Sequence, residues 1–516
     1  MANDTSYGLS AYIWTSNVSV AHKLAARIKA DSIAINGGAG MDFTMPFGGF
    51  KPSGLGREHG REGVEALHGD QRLSRLPCRL RHPAHSCRRL RCDDGPEVEL
   101  TTADFAIWSV AALATAGVIL RPFKLPEAVW AVAGALVLVS CGLVPLSTAW
   151  TGVGKGLDVY LFLTGMMLLA EVARETGLFD WLASVAAAHA RGSAVRLFRL
   201  IYAVGIVVTV FLSNDATAVV LTPAVAAVTR ASKVPQPLPY LLICAFIANA
   251  ASFVLPISNP ANLVIYGSHM PPLAEWLPRF ALPSLVAIVA TYASLRWTQR
   301  KALTRALPTE ISTPALSHAG KTAAWGIVAT ALGLIVASAR GWQLGLPTCV
   351  AGVGTLVLVS GLERSSPWRF MRDISWGVIP LVAGLFVLVE GLDQSGVIGA
   401  LSESLRRLAQ HSANLTAAAA GVVSGFACNL LNNLPAGLIA GTAVQSAAVP
   451  PNINSSILIG VDIGPNLSVT GSLATILWLT ALRREGVQVR ALDFLRLGLL
   501  VMPPALILSL CALLWL

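Results

Sequence analysis

Four short stretches of this chain set amides, hydroxyls and acids beside Pro or Gly inside runs that otherwise leave water. The first is FLSNDATAVVLTP, with Ser213, Asn214, Asp215 and Thr217. The second, Pro256–Asn262, carries Asn259 and Asn262. The third, Asn429–Pro435, carries Asn429, Asn432 and Asn433, and the fourth, Asp462–Asn466, is followed closely by Thr470. Pro removes a backbone donor and clashes with the preceding turn, so each stretch predicts a broken helix with freed carbonyls. At membrane depth such backbone survives only when buried in protein or lining a wet cavity. Asn supplies both donors and acceptors. A ring of Asn amides, Ser/Thr hydroxyls and helix ends suits a small, neutral, polyhydroxylated solute, not a bulky cation or an apolar drug. Asp215 and Asp462 have two open readings. A carboxylate at this depth costs several kcal/mol when charged and unpaired, which fits a group that takes and releases protons during transport. The alternative is an acid capping the start of a half-helix. No catalytic residue, metal site or cofactor is expected. Cys428, next to Asn429, reads as packing rather than as a soft-metal ligand.

The elements that must hold these stretches are membrane helices. The chain has 516 residues, 54% hydrophobic and 13% charged, about half the charge of ordinary globular domains. Its net charge of +10 lies in short basic clusters between apolar spans, the pattern of cytoplasmic loops. No basic stripe with interleaved aromatics suggests nucleic acid as a partner. The eight cysteines form no disulfide or zinc framework, and those in apolar surroundings read as small buried hydrophobes. Apolar segments run 105–120, 127–146, 157–173, 197–212, 218–229, 239–257, 280–297, 321–339, 344–361, 374–391, 412–428, 434–447, 465–482 and 494–516. The short stretches 218–229 and 434–447 read as arms of re-entrant hairpins. The expected architecture is an all-α polytopic protein of the plasma membrane, with two such hairpins and about 10–12 membrane segments. Basic clusters such as Arg191/Arg196/Arg199 and Arg296/Arg300/Lys301 belong inside, which makes 197–229 a cytoplasm-facing hairpin. Arg406/Arg407 fall on the outer side of this threading.

The chain also repeats itself. Gly165, Glu171, Gly177 and Asn214 recur at a constant offset as Gly384, Glu390, Gly396 and Asn433, and NLVIYGS (262–268) recurs as NLSVTGS (466–472). With the charge-based threading the second copy runs upside down. Inverted repeats are the architecture of many secondary transporters, with substrate bound near the midplane where discontinuous helices meet. Glu171 and Glu390, near span ends, read as structural. The predicted organisation is repeat 1 at 103–300, a cytoplasmic linker at 301–320, and repeat 2 at 321–516.

Residues 1–67 differ in kind. NDTSYGLSAYIWTSN and MPFGGFKPSGLGREHGREGVEAL resemble the C-terminal tail of an aldehyde dehydrogenase. That family's cofactor-binding region, catalytic cysteine and general-base glutamate are missing, so no enzyme activity is expected. Residues 68–102 are a basic linker without apolar periodicity. Rich in Arg, His, Cys and Pro, they read as out-of-frame coding sequence. The expectation is that the first hundred residues are a remnant or a misplaced start, with translation beginning near Val98 or Leu100. Peptides from 1–90 in the purified protein would refute it.

From about 103 to 516 the chain resembles the ArsB-type arsenical pump membrane proteins of the ion transporter superfamily. DVYLFLTGMMLLAEVARETGLFDWLA, FLSNDATAVVLTPAV, CAFIANAASFVLPISNPANLVIYG, NLLNNLPAGLIAG and IGVDIGPNLSVTGSLATILWL carry the likeness. The resemblance implies export of arsenite or antimonite in exchange for protons, or in association with a soluble arsenite-stimulated ATPase. It admits a homodimer. No GxxxxGK[ST] sequence is present, so an ATPase would be a separate chain. The runner-up is a citrate or dicarboxylate carrier of the same superfamily, which Asp215 in the first tip disfavours by repelling an anion.

Overall fold

A computed structural model describes residues 101–304 and 315–515, with the short stretches 10–13, 15, 18–25, 27–28, 30, 32–35, 47–48 and 57–58 before them. The chain divides into two compact units, Met1–Glu97 and Val98–Leu516. In the first, strand Ser10–Ile13 pairs in parallel with Ser32–Ile35. Helix Val18–Ala25 lies between them in sequence, the crossover that a parallel pair needs. Phe47–Gly48 and Arg57–Glu58 pair antiparallel. Of the linker expected at 68–102, residues 68–100 lie outside the described residues, as does the stretch 305–314, while Thr102 already belongs to the first helix.

The described part of the second unit is helical throughout. Its first helix, Thr102–Leu120, opens on a reciprocal cap: the Asp104 amide donates to Thr101 Oγ1, and the Thr101 amide donates to Asp104 Oδ2 at 2.8 Å. It ends at Arg121, left-handed at φ 46° ahead of Pro122. Glu127–Ser140 follows, then Leu146–Lys155 and Leu157–Glu175, which meet at a 46° bend. Leu178–Ala190 leads into the first hairpin, made of Ala194–Phe211 and a return arm over 214–231. Leu238–Ala250 and Pro260–Tyr266 form a broken pair, and Leu273–Thr298 closes the half. The second half reproduces this order. His318–Ala339 and Gly345–Glu363 precede Val378–Gln394 and Val397–His411. The second hairpin is Ala413–Leu431 with Asn433–Ala447, the second broken pair is Pro451–Ile463 with Leu473–Arg484, and Ala491–Trp515 comes last.

Seven of the described helices are long and apolar enough to cross a membrane, nine if each bent pair counts as one span. Glu127–Ser140 and Leu238–Ala250 are shorter apolar helices. Leu113, Leu332, Leu358 and Leu430 are exposed on the outer helices. Such residues face hydrocarbon in a membrane protein, where backbone polar groups are satisfied within each helix.

The structure gives the repeated glycines two jobs. A Cβ on Gly165 would run into the backbone of Thr348, and one on Gly384 into the backbone of Ala131. Each glycine lets its helix press against a helix of the other half: Leu157–Glu175 packs on Gly345–Glu363, and Val378–Gln394 on Glu127–Ser140. The two halves are therefore interlocked rather than placed side by side. Gly177 and Gly396, at φ 73° and 80°, start the following helices in the left-handed region that only Gly adopts without strain. Asp158 Oδ1 accepts from the Gly345 amide at 2.7 Å, adding a polar tie across the same interface.

Several expectations change. Four helices of ten or more residues were not among the apolar segments: Leu146–Lys155, Leu178–Ala190, Val397–His411 and Pro451–Ile463. Val397–His411 shows why, since its charged face carries Glu403, Arg406 and Arg407, and an amphipathic helix forms no apolar run. The segments 239–257 and 465–482 are not continuous helices. The first ends at Ala250 and the second begins at Leu473, because the intervening residues form the breaks. Cys244 and Cys428 are buried as expected, but Cys141 and Cys511 are exposed. Cys78, Cys87 and Cys92 lie outside the described residues.

Candidate functional site

The first hairpin turns at Ser213, whose backbone is extended. Ser213 Oγ accepts from the Ala216 amide at 3.1 Å, and Asn214 Oδ1 accepts from the Asp215 amide at 2.9 Å. These bonds restart a helix in which Asp215 is the second residue, the end where a carboxylate is favoured. One wide π turn, Thr217–Leu221, follows before Pro223, whose missing N–H cannot close an ordinary α turn. Thr217 Oγ1 lies 2.8 Å from Thr209 Oγ1 on the other arm, so the two hydroxyls clasp the hairpin below its tip.

The second hairpin turns at Asn432, at φ 73°. Its side chain accepts from the Leu434 amide at 3.5 Å and donates to the Thr470 carbonyl at 3.4 Å. Asn433 then opens the return arm, as Asn214 does in the first. Asn429 Nδ2 donates to the carbonyls of Gly425 and Gly464 at 2.9 and 3.0 Å, while its Oδ1 accepts from Ser468 Oγ at 2.7 Å. Thr470 Oγ1 returns a bond to the Asn429 carbonyl at 3.1 Å. Hairpin tip and broken helix are thus one unit in this half.

In the first half Asn262 gathers the freed carbonyls. Its Nδ2 lies 2.9 Å from Ser252 O, 3.4 Å from Leu255 O and 3.3 Å from Pro256 O. Asn259 Oδ1 accepts from the Ala261 amide at 3.0 Å and so starts helix Pro260–Tyr266. Ser258 Oγ donates to the Val210 carbonyl at 3.0 Å, tying this break to the first hairpin.

Side-chain amides join the halves. Asn259 Nδ2 donates to Asp462 Oδ1 at 2.6 Å. Asn249 Nδ2 donates to Asn466 Oδ1 at 3.0 Å, and Asn466 Nδ2 donates to the Phe246 carbonyl at 3.0 Å. Asp462 is fully buried, and its second oxygen has no hydrogen-bond partner. It sits next to last in helix Pro451–Ile463. The reading of Asp462 as a cap on a helix start therefore does not hold: it lies at the end of the helix where the dipole disfavours a negative charge.

Of the twelve positions singled out, all but Asp215, Asn429 and Thr470 are buried. Asn249, Ser252, Ser258, Ser468, Ser472 and Thr475 belong to the same networks and were missed. Ser472 offered a signal, since a Ser before an apolar run is a helix start; its Oγ accepts from the Thr475 amide at 3.1 Å. Asn249 sits inside an apolar helix, where nothing in its local sequence marks its partner.

Beside the first tip lies a cavity of about 100 Å³. Ser213, Asp215 and Pro260 form one wall, Met166 and Glu171 another, and Asp373 of the second half contributes to the lining. No lysine or arginine lines it among the described residues. Glu171 is bonded by Arg174 at 2.5 Å, and the same guanidinium reaches Glu175 at 2.8 Å and Asp373 at 3.2 Å. This holds three acids together through a cation, as a cross-repeat ion pair. Glu390 is likewise paired, with Lys155 at 2.7 Å.

Two interlocked repeats with paired broken helices, polar contacts at their centre and apolar flanks define a multi-pass membrane transporter. The chain belongs to the citrate transporter family, whose profile matches residues 110–463. Residues 1–70 match the aldehyde dehydrogenase family. Over 402 residues, 74% of this chain and 91% of the relative, the chain is 27% identical to the arsenical pump membrane protein of Escherichia coli K12. Over 426 residues, 77% of this chain and 96% of the relative, it is 25% identical to a putative arsenical pump membrane protein of Bacillus subtilis 168. The crystal structure of the Alcanivorax borkumensis YdaH transporter shares the fold, with a TM-score of 0.51 at 16% identity, covering 80% of this chain and 98% of that one.

Proposed function

We propose that this transporter exports trivalent arsenic and antimony as their neutral hydroxides, in exchange for protons, and so confers resistance to them. The observation that carries the reading is the cavity at the first hairpin tip. It offers Ser213, Asp215 and acidic neighbours but no cationic side chain. At neutral pH arsenite is mainly the uncharged trihydroxide, a small polyol-like solute that hydroxyl, amide and carboxylate groups can bind. The names of the E. coli and B. subtilis relatives support the same cargo. A neutral solute carries no charge down the membrane potential, so a proton must supply the drive, about 2.3 kcal/mol per 100 mV. Asp215 faces the cavity without an ion-pair partner among the described residues and is the proposed proton carrier. The proposed substrate set comprises Ser213, Asn214, Asp215 and Thr217 with Asn259, Asn262, Asn429, Asn432, Asn433, Asp462, Asn466 and Thr470.

The family's description as citrate transporters favours a second reading, a carrier of carboxylates. A tricarboxylate needs cationic groups or free helix starts, and a cavity lined by acids repels it. Uptake of arsenite into everted vesicles, with and without an imposed proton gradient, tests the proposal. Gradient-dependent arsenite accumulation that citrate does not inhibit is the expected result. Citrate uptake without arsenite uptake would establish the second reading. The same vesicles with added ATP and cytosol test whether a soluble ATPase assists.

A further inference from the structure

A second cavity lies away from the hairpin tips, at the foot of the first hairpin. Its volume is about 510 Å³. Its walls are Gly192, Ser193, Ala194 and Val195, where helix Ala194–Phe211 begins, and Arg296, Arg300, Leu303 and Thr304 from the end of Leu273–Thr298 and the turn after it. No acid lines it. Arg174, Arg230, Arg369, Arg406 and Arg407 each sit on a carboxylate, while others such as Arg483 and Arg484 have none among the described residues. Arg296 and Arg300 have no carboxylate partner among the described residues. Two exposed guanidinium groups beside a preformed hollow, with no counter-charge among the described residues, select an anion, and their planar donor forks match phosphate oxygens.

The surroundings say which kind of phosphate. Trp297, between the two arginines in sequence, is 58% exposed, and the Arg300 guanidinium stands 5.6 Å from its ring centre. Exposed Trp beside Arg at the end of a spanning helix marks the headgroup level of a bilayer. The same helix exposes Leu282, Leu285 and Val289, a surface along which acyl chains can run. Val195 and Leu303 add apolar wall to the cavity itself. Basic pockets between membrane helices on the cytoplasmic side bind lipid headgroups.

We propose that this cavity holds the phosphate headgroup of an anionic phospholipid, gripped by Arg296 and Arg300. The lipid seats the foot of the helix that ends at the Ser213 tip. The site is separate from the solute cavity and does not depend on which solute is carried.

The test is lipid retention by the purified full-length chain, read by native mass spectrometry from mixtures of phosphatidylglycerol and phosphatidylcholine. The parent should retain phosphatidylglycerol selectively. R296Q/R300Q should lose about thirtyfold of that preference, the effect of two guanidinium–headgroup contacts. R483Q/R484Q, which removes two exposed arginines from the end of helix Leu473–Arg484, should keep it. If the double variant does not fold, R296Q and R300Q singly carry the same test, each with a loss of about fivefold. Unchanged preference in the variants overturns the proposal. An equal loss in R483Q/R484Q also overturns it, because the effect is then general surface charge. Displacement of the retained lipid by millimolar inorganic phosphate would identify a free phosphate as the occupant and overturn the lipid assignment.

Discussion

Asn259 and Asp462 lie in opposite halves of the chain, and their side chains meet at 2.6 Å in the buried centre of the protein. One stands before the start of helix Pro260–Tyr266 and the other near the end of Pro451–Ile463. The bond therefore joins two helix ends that belong to different repeats. Any movement of one broken helix against the other must stretch or exchange it.

Removing one side of this pair leaves the other buried without a partner. Asn259→Ala is expected to lower stability by about 1–3 kcal/mol, the cost of an unsatisfied buried polar group, and more if the carboxylate is charged. Thermal unfolding in detergent checks it. The reciprocal exchange N259D/D462N restores an amide–carboxylate pair and should recover most of the loss. An exchange variant no better than the single ones would show that the bond is incidental.

Asp215 starts a helix and also faces the solute cavity. Asp215→Asn keeps the size and helix-start preference of the side chain while removing its titration. The expected outcome is normal expression, retained arsenite binding and loss of proton-driven accumulation. Intact gradient-driven transport in this variant would reduce Asp215 to a structural cap.

Gly165 and Gly177 are both repeated glycines but answer to different physics. Gly177→Ala should cost about 1 kcal/mol, because its backbone is left-handed but nothing lies within 4 Å of where the new atom would sit. Gly165→Ala pushes apart two helices in backbone contact and should cost about 1–3 kcal/mol or more. Gly384→Ala, at the equivalent interface, should behave like Gly165→Ala. Unfolding temperatures of the three variants rank them.

Asn249 and Asn466 form one buried unit. Asn249→Ala and Asn466→Ala are each expected to abolish most transport, and the double variant should be no worse than either, since contacting residues are not additive. Fully additive losses in vesicle uptake would mean that the two amides act separately.

Removal of the N-terminal unit, Met1–Glu97, is expected to leave transport intact. A chain begun at Val98 should accumulate arsenite at the rate of the full chain. Peptide mapping of the expressed protein shows which of the two the cell makes.

Much of this protein could be read from its residues alone. Pro223, Pro256, Pro435 and Pro465 stand in the first turn after each break, where a missing N–H is tolerated and the ring clash acts within one turn, whereas Pro278, Pro283, Pro503 and Pro504 lie inside continuous helices. Asn and Asp next to them are conspicuous because the bilayer penalises exposed polar groups at any position along a span. The repeated Gly165/Gly384 and Gly177/Gly396 were visible as a spacing, and their reasons are equally local: close approach and a left-handed start. The amphipathic helix Val397–His411 escaped because a polar face hides an apolar one from any search for continuous runs.

What the tertiary structure alone decided is which polar groups meet. Asn249 finds Asn466, and Asn259 finds Asp462, across more than 200 positions of chain. Arg174 draws Asp373 from the other repeat to Glu171. No local preference encodes such pairs. They follow from the interlocking of two helix sets, set by summed packing over many residues, which leaves each buried polar atom only the neighbours that the fold brings to it.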